Sequence, residues 1–467
     1  MKKLYALLPF LLLGVVTVST LAFNGPTSLT DSYAPVVLTG SQMTALLGAP
    51  TDDVFVYAFT SGTPTQIPFQ VDEQNADGMF VPNGDGLLGE TDELVFMAAD
   101  AGEYEPDPLL PTPGGDIYPD FVVTLSDPLS SEQAWAYIYT SPDLTPTFAE
   151  DYVSYDAGND RVTSPGLYSA GFNATNSFRD YLALGGGADI LDRDKIRLDG
   201  YVLLPQLAFH LTENDVSKDG VHAIDGAVRV TRVASSTIVL SGQTITGTGT
   251  TYFYGPLIVQ SISLTTPPAP VVVEYLRNSI DFNAGASGMT YYDPNNAAGK
   301  TIDGTPDSLT ISPAAEWQQV SGADGTMITM VDLPDTLAGM STYYKDNNVV
   351  DPDDTGDQVS YGDNGFQVDD PPQNESFDLS IQTVFLSGNQ PNVGATYYNQ
   401  YLTPLDLQVV EFGEPTPVPT ASPTATATAT APPPPTGTPT STPPPPALVP
   451  QAYLPLITYG NQSTLAP

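Results

Sequence analysis

Cysteine is absent from this 467-residue chain. Without disulfides, the fold must rest on its core and on bound ions. Basic side chains are scarce, 13 Lys and Arg against 54 Asp and Glu, for a formal charge of −41. Nucleic-acid phosphates demand Lys and Arg, so nucleic acid is excluded as a partner. The acid excess keeps the chain soluble by self-repulsion and opposes compactness, a cost that divalent cations relieve. Long apolar runs are missing beyond the N-terminus. None approaches the roughly 20 residues that cross a bilayer, so no membrane span is expected in the mature chain. Also missing are a Ser/His/Asp spacing, a phosphate-cradling glycine loop and an HExxH helix, which leaves no complete catalytic constellation.

What is present begins with an export signal. Lys2 and Lys3 precede an apolar run over 4–18, and Thr20-Leu21-Ala22 offers the small residues that a signal peptidase reads before Phe23. Residues 1–22 are therefore expected to be removed, and the product to be secreted or held at the cell surface. At the other end, residues 414–446 turn into Pro, Thr and Ala repeats that cannot bury a core and predict a disordered, partly polyproline stalk. Residues 447–467 include the apolar Tyr453-Leu-Pro-Leu-Ile457 and read as a sorting or docking tail. This ending resembles the tails that follow Pro/Thr stalks in some bacterial surface proteins.

Between the ends the pattern is all-β. Runs at 54–59, 94–98, 121–125, 196–204, 227–233, 236–240, 257–264, 271–280, 326–333, 377–386 and 405–412 are apolar or β-branched and are broken by Gly, Pro or Asp. One short helix is expected at 41–47, capped by Ser41 and ended by Gly48 and Pro50. The spacing favours antiparallel β-sandwich or supersandwich domains, an N-terminal β domain over 23–160 and a β-sandwich domain over 161–413. Trp135, Tyr137 and Tyr139 share one strand face. A core-facing stripe is the expectation, a sugar-stacking platform the alternative.

The stretch 67–100 carries the clearest candidate site. Asn83, Asp85, Gly86 and Asp92 take positions three, five, six and twelve of a calcium loop, while Val81 at position one cannot ligate. Asp72, Glu73 or Asp77 can supply the missing oxygen to a hard cation that accepts 6–8 of them. A structural Ca2+ is expected here, against an acidic turn that needs no ion. A second acidic cluster places Asp351, Asp353 and Thr355 two residues apart before Gly356 and Asp357, resembling the start of such a loop.

Charge is unevenly placed. Nine of the eleven Lys and Arg beyond residue 22 lie between Arg161 and Arg277, with both histidines and ten acidic residues. A near-neutral middle is flanked by strongly acidic ends. Either this middle is the buried centre of the fold, or it offers a cationic face to an anionic glycan through Arg193, Lys195, Arg197, His210 and His222.

Two segments resemble a known group. Pro68-Phe-Gln70-Val71-Asp72 followed by an Asp/Gly turn and Asp92-Glu93-Leu94-Val95-Phe96 resembles the N-terminal region of secreted β-supersandwich proteins related to galactose mutarotase and to pectin-degradation accessory families. Gly226-Ala-Val228-Arg229-Val230 is similar to a Gly-Pro-Val-Arg strand start in the same group, with Ala227 in place of the proline. The resemblance implies a carbohydrate-directed supersandwich. The leading expectation is an exported, calcium-stabilised surface protein that binds polysaccharide or cell-envelope components or serves structure. The alternative is a carbohydrate-active enzyme. A hydrolase needs paired carboxylates about 5–9.5 Å apart, and 54 acids give no means of selecting a pair. A uronate lyase needs a cation and a base, for which Arg179, Arg193, Lys195, Arg197, His210 and His222 are available.

Overall fold

The computed structural model describes residues 29–413, apart from 76–77, 83, 204–206, 241–242, 267–269 and 333–339. Four antiparallel sheets stack face to face. Sheet I runs Asp406–Glu411, Phe121–Ser126, Gln133–Thr140, Val54–Thr60, Thr63–Gln66. Sheet II runs Pro35–Thr39, Glu93–Met97, Phe69–Asp72. Sheet III has nine strands, from Val216–Asp225 at one edge through Arg229–Leu240, Gln243–Tyr254, Leu257–Thr265, Ser376–Ser387, Gly325–Asp332 and Trp317–Gly322 to the short Thr290–Tyr292 and Lys300–Thr301. Sheet IV runs Ala208–Thr212, Leu191–Val202, Val271–Phe282, Ser360–Asp369, Met340–Asn347. A smaller sheet of four strands lies between residues 154 and 184.

Alternation of side chains explains the stacking. Leu94 and Phe96 pack with Val54, Val56 and Ile138 between sheets I and II. The intervening Val95 and Met97 pack with Tyr252, Tyr254, Ile328 and Val384 between sheets II and III. Strand Glu93–Met97 is therefore buried on both faces, all five residues of it. That is why its sequence is a continuous apolar run after Glu93 rather than an alternating one. On the far side of sheet III, Phe253, Ile258, Val320 and Phe385 meet Ile280 and Phe282 of sheet IV.

The expected strands are present with small shifts. Residues 227–233 and 236–240 are one strand, Arg229–Leu240, paired without a break to Gln243–Tyr254. Strand Asp406–Glu411 returns to pair with Phe121–Ser126, so sheet I takes its last strand from beyond residue 161.

The helix expected at 41–47 is not formed. Two 3-10 turns, Gly40–Gln42 and Thr44–Leu46, take its place, with Met43 at φ −124° and ψ 50° between them. The N–H groups of Gly40, Ser41 and Gly48 donate to the carbonyls of Asp92, Glu90 and Leu88, which ties the segment to a crossing chain at both ends, and the N–H groups of Met43, Leu46 and Leu47 close on the third residue back, as in 3-10 turns. Among the described residues one α-helix is present, Gly394–Leu402. The Gln319 side-chain oxygen accepts from the backbone N–H groups of Val393 and Gly394 at 2.8 Å, and a Cβ on Gly394 would stand 2.1 Å from the Trp317 ring. Glycine thus lets the helix start lie flat on the indole.

Candidate functional site

Three polar features interrupt the layers. The first lies between sheets II and III. Arg229, 1% exposed, donates from Nε to Asp72 at 2.7 Å and from Nη2 to Glu93 at 2.5 Å, and Nη1 reaches the Tyr254 hydroxyl at 3.2 Å. Gln70 accepts from the backbone N–H groups of Val228 and Arg229 and donates to Asp72. The two segments that carried the family resemblance thus meet in one buried network. Burial opposes the Arg229 charge, but Asp72, Tyr254 and Glu93 together push its pKa further up.

The second feature covers the outer face of sheet IV. Arg193, Lys195 and Arg197 alternate along Leu191–Val202 and so share a face. Lys195 Nζ donates to Asp281 at 2.5 Å and to Asp354 at 3.0 Å, and Arg197 holds Glu213 at 2.6 Å and Asp354 at 2.7 Å. Arg193 lies 3.4 Å from Asp192. Asp354 belongs to the acidic loop between the last two strands of the sheet, so that loop folds over Lys195 and Arg197 and supplies them a carboxylate, while Arg193 is met by Asp192 and Glu213. Burial opposes the Asp354 carboxylate, but Lys195 and its other partners hold its pKa at about 2. No open cationic face results. Each of the eleven Lys and Arg beyond residue 22 faces a carboxylate or an aromatic ring, with Arg161 on Tyr181 and Arg277 on Tyr343.

The remaining sequence candidates are scattered. His210 Nδ1 meets Asp199 on the exposed end of sheet IV, whereas His222 Nε2 meets the Phe80 carbonyl at 3.1 Å at the edge of sheet III. Neither contact includes a basic residue. In the calcium-loop stretch, Asp92 accepts from the N–H groups of Gln74 and Gly89, Asp85 from Leu87, and Glu73 from Gly86. Asp72 points away into the Arg229 network. Asp77 and Asn83 lie outside the described residues. In the second acidic cluster, Asp351 accepts from Lys345 and from the Asp353 N–H, and Asp357 accepts from the Val359 N–H. Among the described residues no three His, Cys, Asp or Glu side chains are grouped to hold a metal ion. Tyr137 and Tyr139 are buried under the segment that follows sheet II, where Tyr139 donates to the Pro108 carbonyl at 2.6 Å and Glu105 N–H donates to the Tyr137 hydroxyl at 2.6 Å. Tyr137 and Tyr139 are therefore core, whereas Trp135 is half-buried beside the exposed Tyr104.

The third feature is a cavity of about 90 Å³ between sheets III and IV. Apolar Phe172, Phe253, Ile258, Phe366 and Trp317 line it beside Asn278, Asn364, Gln260, Gln318, Thr251, Thr329 and Thr383. Arg179 and Asp194 form an ion pair of 2.9 Å at its wall, where burial pushes the Asp194 carboxyl up against the pull of Arg179. Gln318 is buried and donates to the Gly365 carbonyl of the facing sheet at 2.7 Å, while its oxygen has no partner. Glu316, exposed to solvent, lines the same space and marks its mouth. Sequence reasoning missed this site. Its one signal is Gln318-Gln319, two amides side by side between Trp317 and Val320, each facing a different layer.

Comparison with known proteins adds little. No family model matches the chain, and no curated protein sequence matches it. Solved structures that are similar include an alpha-mannosidase from Enterococcus faecalis V583, at TM-score 0.40 and 9% identity, covering 82% of this chain and 44% of that one. A glycosyl hydrolase family 38 protein from Enterococcus faecalis gives 0.40 and 8%, covering 81% and 45%. The alpha-N-acetylgalactosaminidase NagBb from Bifidobacterium bifidum gives 0.35 and 9%, covering 51% and 38%. The chain spans less than half the length of each of these proteins.

Proposed function

We propose that the chain is an extracytoplasmic binding protein whose site is the cavity between sheets III and IV, and whose ligand is a neutral glycan taken by a terminal unit. The observation that carries this reading is the Gln318 oxygen, buried and unpartnered in a cavity that mixes aromatic rings with amide and hydroxyl groups. A buried acceptor left without a donor costs about 1–3 kcal/mol. A ligand hydroxyl supplies the donor. Rings and amides together suit a sugar, which presents apolar C–H faces and a rim of hydroxyls. A cavity of about 90 Å³ admits one edge of a sugar unit and is too small for a chain passing through. Neutral ligands are favoured because the basic side chains are internally paired while the net charge of −41 repels anions. Residues 414–446, expected from their sequence to form a stalk, lie outside the described residues and on this proposal would hold the module away from the cell surface.

Calorimetric titration with a panel of neutral mono- and oligosaccharides, alongside uronate oligomers, tests the proposal. Binding of a neutral sugar that weakens about tenfold in Gln318→Leu is expected, a loss of about 1.4 kcal/mol. Binding confined to uronates, or neutral-sugar binding untouched by Gln318→Leu, would overturn it.

A further inference from the structure

The Lys195 cluster contains more acid than its donors can satisfy. Lys195, Asp281 and Asp363 are each 0% exposed. Lys195 lies on Leu191–Val202 and Asp281 on the neighbouring Val271–Phe282, and the Nζ to Oδ2 separation is 2.5 Å. The other Asp281 oxygen has no hydrogen-bond partner, nor does either oxygen of Asp363 or the hydroxyl of Ser279, which stands directly opposite Lys195 in the ladder. Asp363 lies on the next strand, where Ile280 pairs with Asn364. A nucleophile, an electrophile and an unpaired proton carrier thus sit on three adjacent strands, out of water. Among the described residues no group of three His, Cys, Asp or Glu that could hold a metal ion is present.

We propose that Lys195 and Asp281 join through an intramolecular amide bond, formed without an external enzyme and with Asp363 as the proton relay. Proton transfer within the ion pair gives a neutral amine and a neutral carboxylic acid. The Lys195 Nζ lone pair then attacks Asp281 Cγ. Asp363 accepts a proton from the attacking nitrogen and returns it to the departing carboxyl oxygen. The Nζ–Cγ bond forms, the Cγ–O bond breaks and one water leaves, with no oxidation or reduction. Holding both groups in contact replaces a bimolecular step by a unimolecular one, and exclusion of water disfavours hydrolysis.

Asp281, rather than Asp354, is the electrophile for a physical reason. Burial, together with Asp363, pushes Asp281 well up and favours its neutral form, whereas Asp354 is held at about 2 by its cationic partners and stays a poor acyl donor. The bond would tie two central strands of sheet IV in a chain that has no disulfide to do so.

Intact-mass measurement and tryptic mapping of the folded full chain decide the matter. The expected result is a mass lighter by one water, and a linked species in which the peptide Asp194 to Arg197 stays uncut at Lys195 and is joined to the peptide Asn278 to Lys300. Lys195→Arg and Asp281→Ala should each restore the full mass, and Asp363→Asn should slow linkage at least about tenfold. Full mass with separate peptides in the unsubstituted protein would overturn the proposal, as would a link from Lys195 to Asp354. Linkage at the unsubstituted rate in Asp363→Asn would overturn the role given to Asp363. None of these readouts depends on glycan binding, so the two proposals fail separately.

Discussion

The molecule buries two ion clusters, and they differ in completeness. Around Arg229, a planar fork with five donors meets two carboxylates, a tyrosine hydroxyl and a glutamine that anchors the backbone. No side-chain atom of Arg229, Asp72, Glu93 or Gln70 is buried without a partner. Around Lys195, a point charge with three donors stands among Asp281, Asp354 and Asp363, and three carboxylate oxygens remain orphaned. Both are buried, yet one is a joint and the other a reactive pocket. The Arg229 network takes its acids from sheet II and its base from sheet III, so it specifies how two layers meet. The Lys195 network takes its central pair from adjacent strands of one sheet and is closed from outside by a loop.

Breaking the complete cluster should have the largest effect. Arg229→Met leaves Asp72 and Glu93 facing each other without a cation, and a loss of about 3–5 kcal/mol in denaturant unfolding is expected. Adding Asp72→Leu and Glu93→Leu to that variant should recover most of the loss, because a well-packed apolar triad avoids the desolvation cost. Failure to recover would mean that the network does more than fill the interface.

A smaller effect separates the clusters by pH. Burial and the neighbouring Asp357 raise Asp192, beside the Lys195 row, to about 6 from an ordinary 3.8. A carboxyl raised in the folded state stabilises it most below pH 3.8, and that contribution is lost as pH rises through about 6. Asp192→Asn should therefore flatten the decline in stability between pH 4 and 7. At pH 7 it should gain about 1 kcal/mol or less once solvent screening is allowed for. Urea midpoints across that range check both points.

The smallest effect is expected from metal removal at the 73–92 turn, where Glu73, Asp85 and Asp92 already accept backbone N–H groups. Chelator should move the melting midpoint by no more than about 2 °C, and Asp85→Ala with Asp92→Ala should cost about 1–2 kcal/mol through lost turn bonds. A chelator shift several times larger would show that a bound cation, and not backbone bonding, organises this stretch.

Much of this architecture was legible in the residues. Apolar runs bounded by Gly, Pro and Asp located at least one strand in each of the four sheets, because strand burial depends on local alternation, while the more polar strands Val216–Asp225, Gln243–Tyr254, Met340–Asn347 and Ser360–Asp369 gave no such run. The helix at Gly394–Leu402 was not legible. Its sequence, GATYYNQYL, lacks an N-cap side chain, and its start is held by Gln319 from another part of the chain. The expected helix at 41–47 gives way to 3-10 turns, because the chain is tied at both ends to the crossing segment 88–92 and its inner N–H groups close on the third residue back.

Sites divide in the same way. The uneven charge map was visible from composition, and the bases of the middle segment prove to be paired with acids or stacked on rings, although its edge strands Ala208–Thr212 and Val216–Asp225 are partly exposed. Which base met which acid was not visible. Asp354 is 159 residues from Lys195 and 157 from Arg197, and Asp72 is 157 from Arg229.

By itself the sequence determined the class of fold, the absence of disulfides and the positions of the most apolar strands, all of which follow from residue type and short-range period. The tertiary structure alone decided that the acidic loop supplies a carboxylate to Lys195 and Arg197, that the two family-like segments share one arginine, and that a polar cavity lies between sheets III and IV. Those outcomes depend on which sheet faces which, and strand period says nothing about partners so far away along the chain.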